Sequence, residues 1–298
     1  MVKKLNGPDA ERCLVTGATG FIGGHVVRAL LARGIPVTAV YRNEEKARAQ
    51  DWFGRVRPLC LELEAATAAD LDHMAGHGRI LHLAWAHLNN FKGEAHLSEV
   101  LPQHEAFLRA LLVRGARHLL VAGTCLEYGL QEGPLTESLP TRPVTAYGQA
   151  KDQLRQTLEP LCREAGAALT WARLFYLHGS GQSEKSLLSQ LDRAIKTGAP
   201  EFNMSGGQQL RDYLPVQTAA DILVSLALSA RGFGVLNCSS GRPVSVLELV
   251  QGHLRQHGAS VQLNLGHYPY PDYEPMAFWG DTTKLNAALA NDTTERRD

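Results

Sequence analysis

A chain of 298 residues, 44% of them hydrophobic, is long enough to bury a sizeable core in one large α/β domain, with or without a smaller C-terminal lobe. Its 30 basic and 30 acidic residues balance, which excludes a basic field for nucleic acid and a polybasic membrane patch. Five scattered cysteines (Cys13, Cys60, Cys125, Cys162 and Cys238) show no Cys-x-x-Cys spacing, so no metal site or disulfide framework is indicated and a reducing cytoplasm is expected.

In chain order, the opening Met1 to Asp9 lacks the apolar core of a signal peptide. Cys13, Leu14 and Val15 read as a buried parallel strand, which passes through a glycine turn into an apolar-periodic helix carrying Ile22, Val26, Val27, Leu30 and Leu31. Gly17, Gly20 and Gly23 form a G-x-x-G-x-x-G turn. The first permits the tight bend, the second lets backbone approach a pyrophosphate, and the third lets helix and strand lie close, with the helix N–H groups facing the anion. Gly17, Thr19, Gly20, Phe21, Ile22 and Gly23 are therefore the candidate dinucleotide cradle. Pro36 to Val40 is a second strand, followed by Tyr41, Arg42 and Asn43. Here, about 20 residues past the glycines, an acid would hold the ribose of NAD, whereas Arg accommodates a 2′-phosphate. Arg42 thus favours NADP(H), with NAD(H) possible; its bland alternative is a solvated charge, because Glu44, Glu45, Lys46 and Arg48 open a charged helix at once.

Val56 to Leu63 gives a third strand whose end carries Glu62 towards an adenine, Thr67 to Gly76 a helix, and Arg79 to Ala86 a fourth strand bringing Leu83, Ala84 and Trp85 beside the cofactor. His82 within it reads as a core histidine, having no metal-spaced partner. Ser98 to Val113 is a long amphipathic helix, and His118 to Cys125 a fifth strand whose end, with Thr124, reaches the crevice where ligands sit in such sheets. The alternation predicts a parallel, doubly wound sheet. Tyr147 and Lys151, four apart on a helix from Thr145 to Leu161, share one face. A phenol titrates near ~10 and moves protons poorly at neutral pH unless its anion is stabilised, which a nearby ammonium does. Such a pair is common by chance on surfaces, but downstream of the glycine turn and Thr124 it reads as catalytic. The polar ending from Asn291 reads as frayed.

These residues, with Arg211-Asp-Tyr-Leu-Pro-Val216, resemble the extended short-chain dehydrogenase/reductase family, in its nucleotide-sugar branch, over about Arg12 to Ala290. The resemblance implies a Rossmann-type sheet with a smaller C-terminal substrate-binding lobe. Residues 1–173 would bind NADP(H) and carry the chemistry, and 174–298 would bind the nucleotide sugar, partly interleaved with the first part. It implies a catalytic triad of Thr124, Tyr147 and Lys151, with Lys151 also holding the nicotinamide ribose, Thr124 and Tyr147 meeting the sugar, and Arg211 at its diphosphate. Tyr176, Gln182 and Asn203 complete the candidate pocket, with His178 and Lys185 as weaker members. Tyr268, Tyr270, Tyr273, Phe278 and Trp279 form an aromatic stretch that closes over substrate or packs on the core. The helices around 98–113 and 145–161 would form the family's homodimer interface.

The family's dehydratases carry Thr-Asp-Glu where this chain has Thr124-Cys125-Leu126, and neither Cys nor Leu does that acid/base work; Glu127 lies one residue further on. The segments 123–129, 172–179 and 202–207 resemble bacterial reductases of the dTDP-6-deoxy-L-talose or dTDP-D-fucose type. The expectation is NAD(P)H-dependent reduction of the C4 keto group of a nucleotide-diphosphate 4-keto-6-deoxyhexose, dTDP-linked in the first place, in deoxysugar biosynthesis. Two alternatives stand beside it: an NAD-retaining epimerase, against which Tyr176 replaces the usual Asn, and a non-catalytic NADP(H)-binding regulator.

Overall fold

The structure, a computed structural model, describes residues 12–229 and 231–295, with side chains to 290; the leader reading at Met1 to Asp9 and the last residues of the polar ending lie outside the described residues. Seven strands, β1 (Cys13–Thr16), β2 (Val37–Tyr41), β3 (Arg57–Cys60), β4 (Arg79–His82), β5 (His118–Thr124), β6 (Ala168–Leu174) and β7 (Gly234–Cys238), form one parallel sheet in the order 7-6-5-4-1-2-3. This is the doubly wound, Rossmann-type arrangement, and the reversal of direction between β1 and β4 opens the crevice at the carboxyl edge.

Apart from the exposed edge strand β3, the strands are largely apolar and buried because both sheet faces are covered. The helices are α1 (Phe21–Ala32), α2 (Glu44–Arg48), α3 (Ala68–Ala75), α4 (Leu101–Val113), α5 (Ala146–Ala165), α6 (Leu187–Thr197), α7 (Val216–Leu228), α8 (Val246–Gln256) and α9 (Thr283–Glu295). On one face α1, α7 and α9 bury Val26, Leu30, Leu223 and Leu285 against Val15 and Leu236. On the other, α3, α4 and α5 bury Met74, Leu108, Leu111, Leu154 and Leu158 around Trp171. α3 begins where the sequence places it because Thr67 and Asp70 form a reciprocal capping box.

Some element ends differ from the sequence reading. β3 stops at Cys60, because it is an edge strand with one partner, β2. β4 stops at His82, where β1 ends opposite it at Thr16 and turns away. Leu83 to Ala86 therefore leave the sheet and line the crevice, held by Thr16, whose carbonyl and hydroxyl both accept from the Leu83 N–H. The long helix begins as a wider π-helical turn over His96–Val100 before α4.

A second, smaller core gathers Leu188, Leu191, Phe202, Met204, Val246, Val250 and Leu254 between α6, α8 and a two-stranded ribbon pairing Glu201–Asn203 with Gln262–Asn264. A three-stranded sheet of Tyr176–His178, Leu210–Pro215 and Pro243–Ser245 joins it to the main sheet. After residue 174 the chain does not stay outside the first core: Leu214, most of α7, β7 and Leu285 return to it. Among the described residues no helix is long and apolar enough to cross a membrane.

Candidate active site

The glycine turn has the shape its sequence implies. Gly17 has φ +69°, and a Cβ there would meet the Ala84 backbone at 2.8 Å; one on Gly23 would run into the Gly17 carbonyl. α1 starts at Gly20 without a side-chain cap and without an acid in its first turn, so its leading N–H groups present positive polarity to the crevice. These features fit a dinucleotide pyrophosphate. Thr19, Phe21 and Ile22 are part-exposed on the same turn. Arg42 is exposed just past β2, while the nearest acid, Glu44, accepts from the Tyr41 hydroxyl at 2.7 Å and pairs with Arg48. Glu62, also exposed, stands just past β3.

Thr124 ends β5, and Tyr147 and Lys151 rise from the first turns of α5, so the carboxyl edge of the sheet brings the three together. The Thr124 hydroxyl accepts from the Leu126 N–H at 3.3 Å. Burial pushes the Tyr147 hydroxyl pKa up, with Glu127 and Cys125 adding to it, while the hydroxyl of Thr124 beside it pulls the other way. Lys151 is buried at 2% exposure, and burial lowers its pKa to about 7, opposed by Glu127. Its ammonium donates to the Ala122 carbonyl (2.9 Å) and lies 3.8 Å from the Trp85 ring centroid. Trp85, predicted to flank a cofactor, is thus also the surface on which Lys151 rests; Leu83 and Ala84 precede it on the crevice wall.

Glu127 is withheld from the crevice. Its carboxylate accepts from the Thr124 N–H (2.9 Å), Trp171 Nε1 (2.9 Å) and Arg173 Nε (2.7 Å), and it is fully buried. Burial raises the Cys125 thiol pKa far above its ordinary range. The run after Thr124 therefore offers no carboxylate to a substrate.

The remaining candidates lie on later elements of the chain. Arg211 is buried in an ion pair with Glu274 (3.0 Å), donates to the carbonyls of Leu210 and Met276, and stands 4.7 Å from the Phe278 ring and 5.8 Å from that of Tyr176. Burial pushes the Tyr176 hydroxyl pKa well up, with Glu274 adding. Gln182 is turned to the Leu177 carbonyl (3.0 Å), and Asn203 accepts from Asn264 (2.7 Å). His178 is part-buried and Lys185 exposed. Phe278 packs in the core with Phe175, the packing role expected of the aromatic stretch, and Tyr273 reaches Phe91, which stacks on Tyr147.

Several residues escaped sequence reasoning. Glu274 joins Arg211 from 63 positions away, which no spacing rule reveals. His96 lies tilted against Tyr147, 5.2 Å between ring centroids, and accepts from Trp85, again a tertiary fact. His253 and His257 are four apart on and just past α8, a visible signal, and with Asp192 of α6 they bring ligand-type atoms within 4.8 Å of one another. His82 is the core histidine expected, linking Thr16 (3.0 Å) to His104 (2.7 Å).

The profile of the NAD dependent epimerase/dehydratase family matches residues 13–238. The chain is 28% identical over 273 residues to a dTDP-6-deoxy-L-talose 4-dehydrogenase (NAD(+)) of Aggregatibacter actinomycetemcomitans, covering 90% of this chain and 98% of that protein. It is 27% identical over 272 residues to a UDP-glucose 4-epimerase of Azospirillum brasilense, covering 81% of this chain and 76% of that one. Among solved structures it is similar to MoeE5 in complex with UDP-glucuronic acid and NAD, at 26% identity and a TM-score of 0.75 over 94% of this chain and 92% of that one. With the sheet order, the glycine turn and the Thr-Tyr-Lys convergence in place, the chain belongs to the NAD dependent epimerase/dehydratase family of nucleotide-sugar enzymes.

Proposed function

We propose that this protein reduces the C4 keto group of a nucleotide-linked 4-keto-6-deoxyhexose, dTDP-linked in the first place, with NAD(P)H, in deoxysugar biosynthesis. The observation that carries the reading is the meeting of Thr124, Tyr147 and Lys151 beside the glycine turn, with Glu127 sequestered by Arg173. The relative of dTDP-6-deoxy-L-talose type, matched over 98% of its length, supports the sugar class.

The glycine turn and the start of α1 would hold the cofactor pyrophosphate, and Lys151 the nicotinamide ribose. When bound, the nicotinamide supplies the hydride that reaches C4. Thr124 orients the ketone oxygen, and Tyr147 gives it the proton. Burial suits that direction: a phenol with a raised pKa stays protonated until the oxygen becomes basic. The rings of Trp85 and Phe91 around Tyr147 exclude water. Arg42 in place of an acid supports NADP(H), and the NAD named with two of the relatives supports NAD(H); in the proposal both serve, NADPH the better.

The test is loss of nicotinamide absorbance with NADPH, and separately NADH, on adding dTDP-4-keto-6-deoxyglucose with and without a 3,5-epimerase. Oxidation that needs the epimerase identifies an L-sugar reductase, and oxidation without it a D-fucose type. Silence with dTDP-, CDP- and GDP-linked keto sugars overturns the reading. A second reading, an epimerase that retains NAD, is supported by the UDP-glucose 4-epimerase relative. Tightly held NAD released from purified protein on denaturation would favour it. The proposed partner is a second copy, docked through the outward faces of α4 and α5, and sedimentation should then give twice the 32.5 kDa chain mass.

A further inference from the structure

Lys151 is a buried cation with no carboxylate in ion-pair contact among the described residues; Glu127, the nearest acid acting on it, is engaged by Arg173 and Trp171. Its ammonium donates one hydrogen bond, to the Ala122 carbonyl. What covers the ammonium is the face of Trp85 at 3.8 Å. A desolvated cation over an indole is held by the ring quadrupole, more weakly than by a carboxylate.

The indole is itself clamped. Trp85 Nε1–H donates to His96 Nδ1 (3.1 Å), and because an indole nitrogen only donates, His96 carries its proton on Nε2 and gives it to the Asn90 carbonyl (3.0 Å). Burial lowers the pKa of His96, which keeps it in this neutral tautomer. His104 of α4 also packs against Trp85, at 4.6 Å between centroids. The same segment encloses Tyr147, whose ring lies 5.2 Å from His96 and 5.4 Å from Phe91, and whose N–H donates to the Phe91 carbonyl (3.0 Å).

We propose that Trp85, locked by His96, is a positioning residue for the Tyr147–Lys151 pair, its ring face standing where a counter-ion would otherwise be. The inference rests on the reading of Tyr147 and Lys151 as the reacting pair. The device has a chemical reason. A carboxylate would bind the ammonium so firmly that it could not turn to a ribose hydroxyl, whereas an aromatic face steadies the charge and releases it at small cost. The titratable groups facing Lys151 are His82 of β4, His96 of the π-helical turn, His104 of α4, Glu127 after β5 and Tyr147 of α5; burial keeps the three imidazoles neutral, so they add no repulsion at neutral pH.

The experiment reads Lys151 directly. Heteronuclear NMR of the full-length protein carrying 13C-labelled lysine, with the Lys151 Cε shift followed across a pH series, gives the Lys151 titration without any turnover and without a reagent having to reach a buried amine. Wild-type Lys151 should titrate near the value of about 7 set by its burial. Trp85→Leu, apolar but without a ring face, should lower that midpoint by about one pH unit. Trp85→Phe, which keeps a face, should restore most of it, and His96→Ala should fall between. The basic limb of kcat should move down with the Lys151 midpoint, since the reduction uses the charged ammonium. Circular dichroism checks folding, and if the Leu variant does not fold, Trp85→Phe compared with His96→Ala still orders the effect. An unmoved midpoint in the Leu variant, equal shifts in Leu and Phe, or a shifted midpoint with an unshifted kcat limb would each overturn the inference. A chain that turns over no keto sugar yet shows the Leu-against-Phe difference sinks the proposed reaction and supports Trp85 as the support of Lys151.

Discussion

Tyr147 is the residue on which the proposed chemistry turns, and its environment contains few groups to stabilise an anion: burial, Glu127 and Cys125 all raise its pKa. Such a phenol acts as a proton donor at neutral pH. Tyr147→Phe should therefore lower kcat by about 100-fold or more while leaving dinucleotide affinity within about threefold, as measured by steady-state assay and calorimetry. Retained turnover would remove Tyr147 from the mechanism. The Tyr-x-x-x-Lys spacing was readable without a structure, because four residues make one helical face. The capture of Glu127 was not readable, because its partners Trp171 and Arg173 lie 44 and 46 positions away on β6. From the sequence alone Glu127 remained a possible acid near Thr124; the fold turns it into a buried strut.

The β1–α1 turn is the element in which sequence and geometry agree most closely. Gly23→Ala places a Cβ against the Gly17 carbonyl, where backbone rather than a flexible side chain must yield. Expected are a loss of about 2 kcal/mol in chemical denaturation and a fall in dinucleotide affinity; an unchanged denaturation midpoint would contradict the close approach. Beneath the turn runs a chain of polar groups that spacing did not reveal. The Thr16 hydroxyl accepts from the N–H groups of Leu83 and Ala84, so it donates to His82 Nδ1, and His82 Nε2–H in turn donates to His104 Nδ1. Burial holds His104 down from 6.5 to about 3, with Lys151 and Arg42 contributing. Between those values the unfolded chain binds a proton that the folded chain refuses, so stability is lost as pH falls through this window. His104→Asn, which keeps an acceptor for His82, should flatten part of that fall in urea unfolding followed from neutral to acid pH. Identical slopes for the two proteins would place the loss on other groups.

Across the whole molecule, the segment leading to Phe278 is tied back by, among other contacts, two ion pairs of unequal worth. Lys92–Asp272 is exposed on both sides and contributes little. Arg211–Glu274 is buried, with side-chain exposures of 3% and 10%, and removing one member strands the other. Arg211→Leu should cost about 3 kcal/mol in denaturation, and Arg211→Leu with Glu274→Leu should recover much of it. If the single variant is as stable as wild type, the pair is not the tie described; if it is destabilised, its loss of activity alone does not establish contact with a diphosphate.

The order of strands and helices, the glycine cradle and the shared face of Tyr147 and Lys151 were determined by the sequence itself, since each depends on periodicity or on steric rules acting within a few residues. Where β4 ends, which acid is silenced, what shelters Lys151 and what holds Arg211 were decided only by the tertiary structure. In each case the deciding partner comes from a distant part of the chain: Thr16 for β4, Arg173 for Glu127, Trp85 for Lys151 and Glu274 for Arg211. Burial then sets the sign of their effects, because a charge or a phenol removed from water takes its pKa from whichever neighbours the fold supplies.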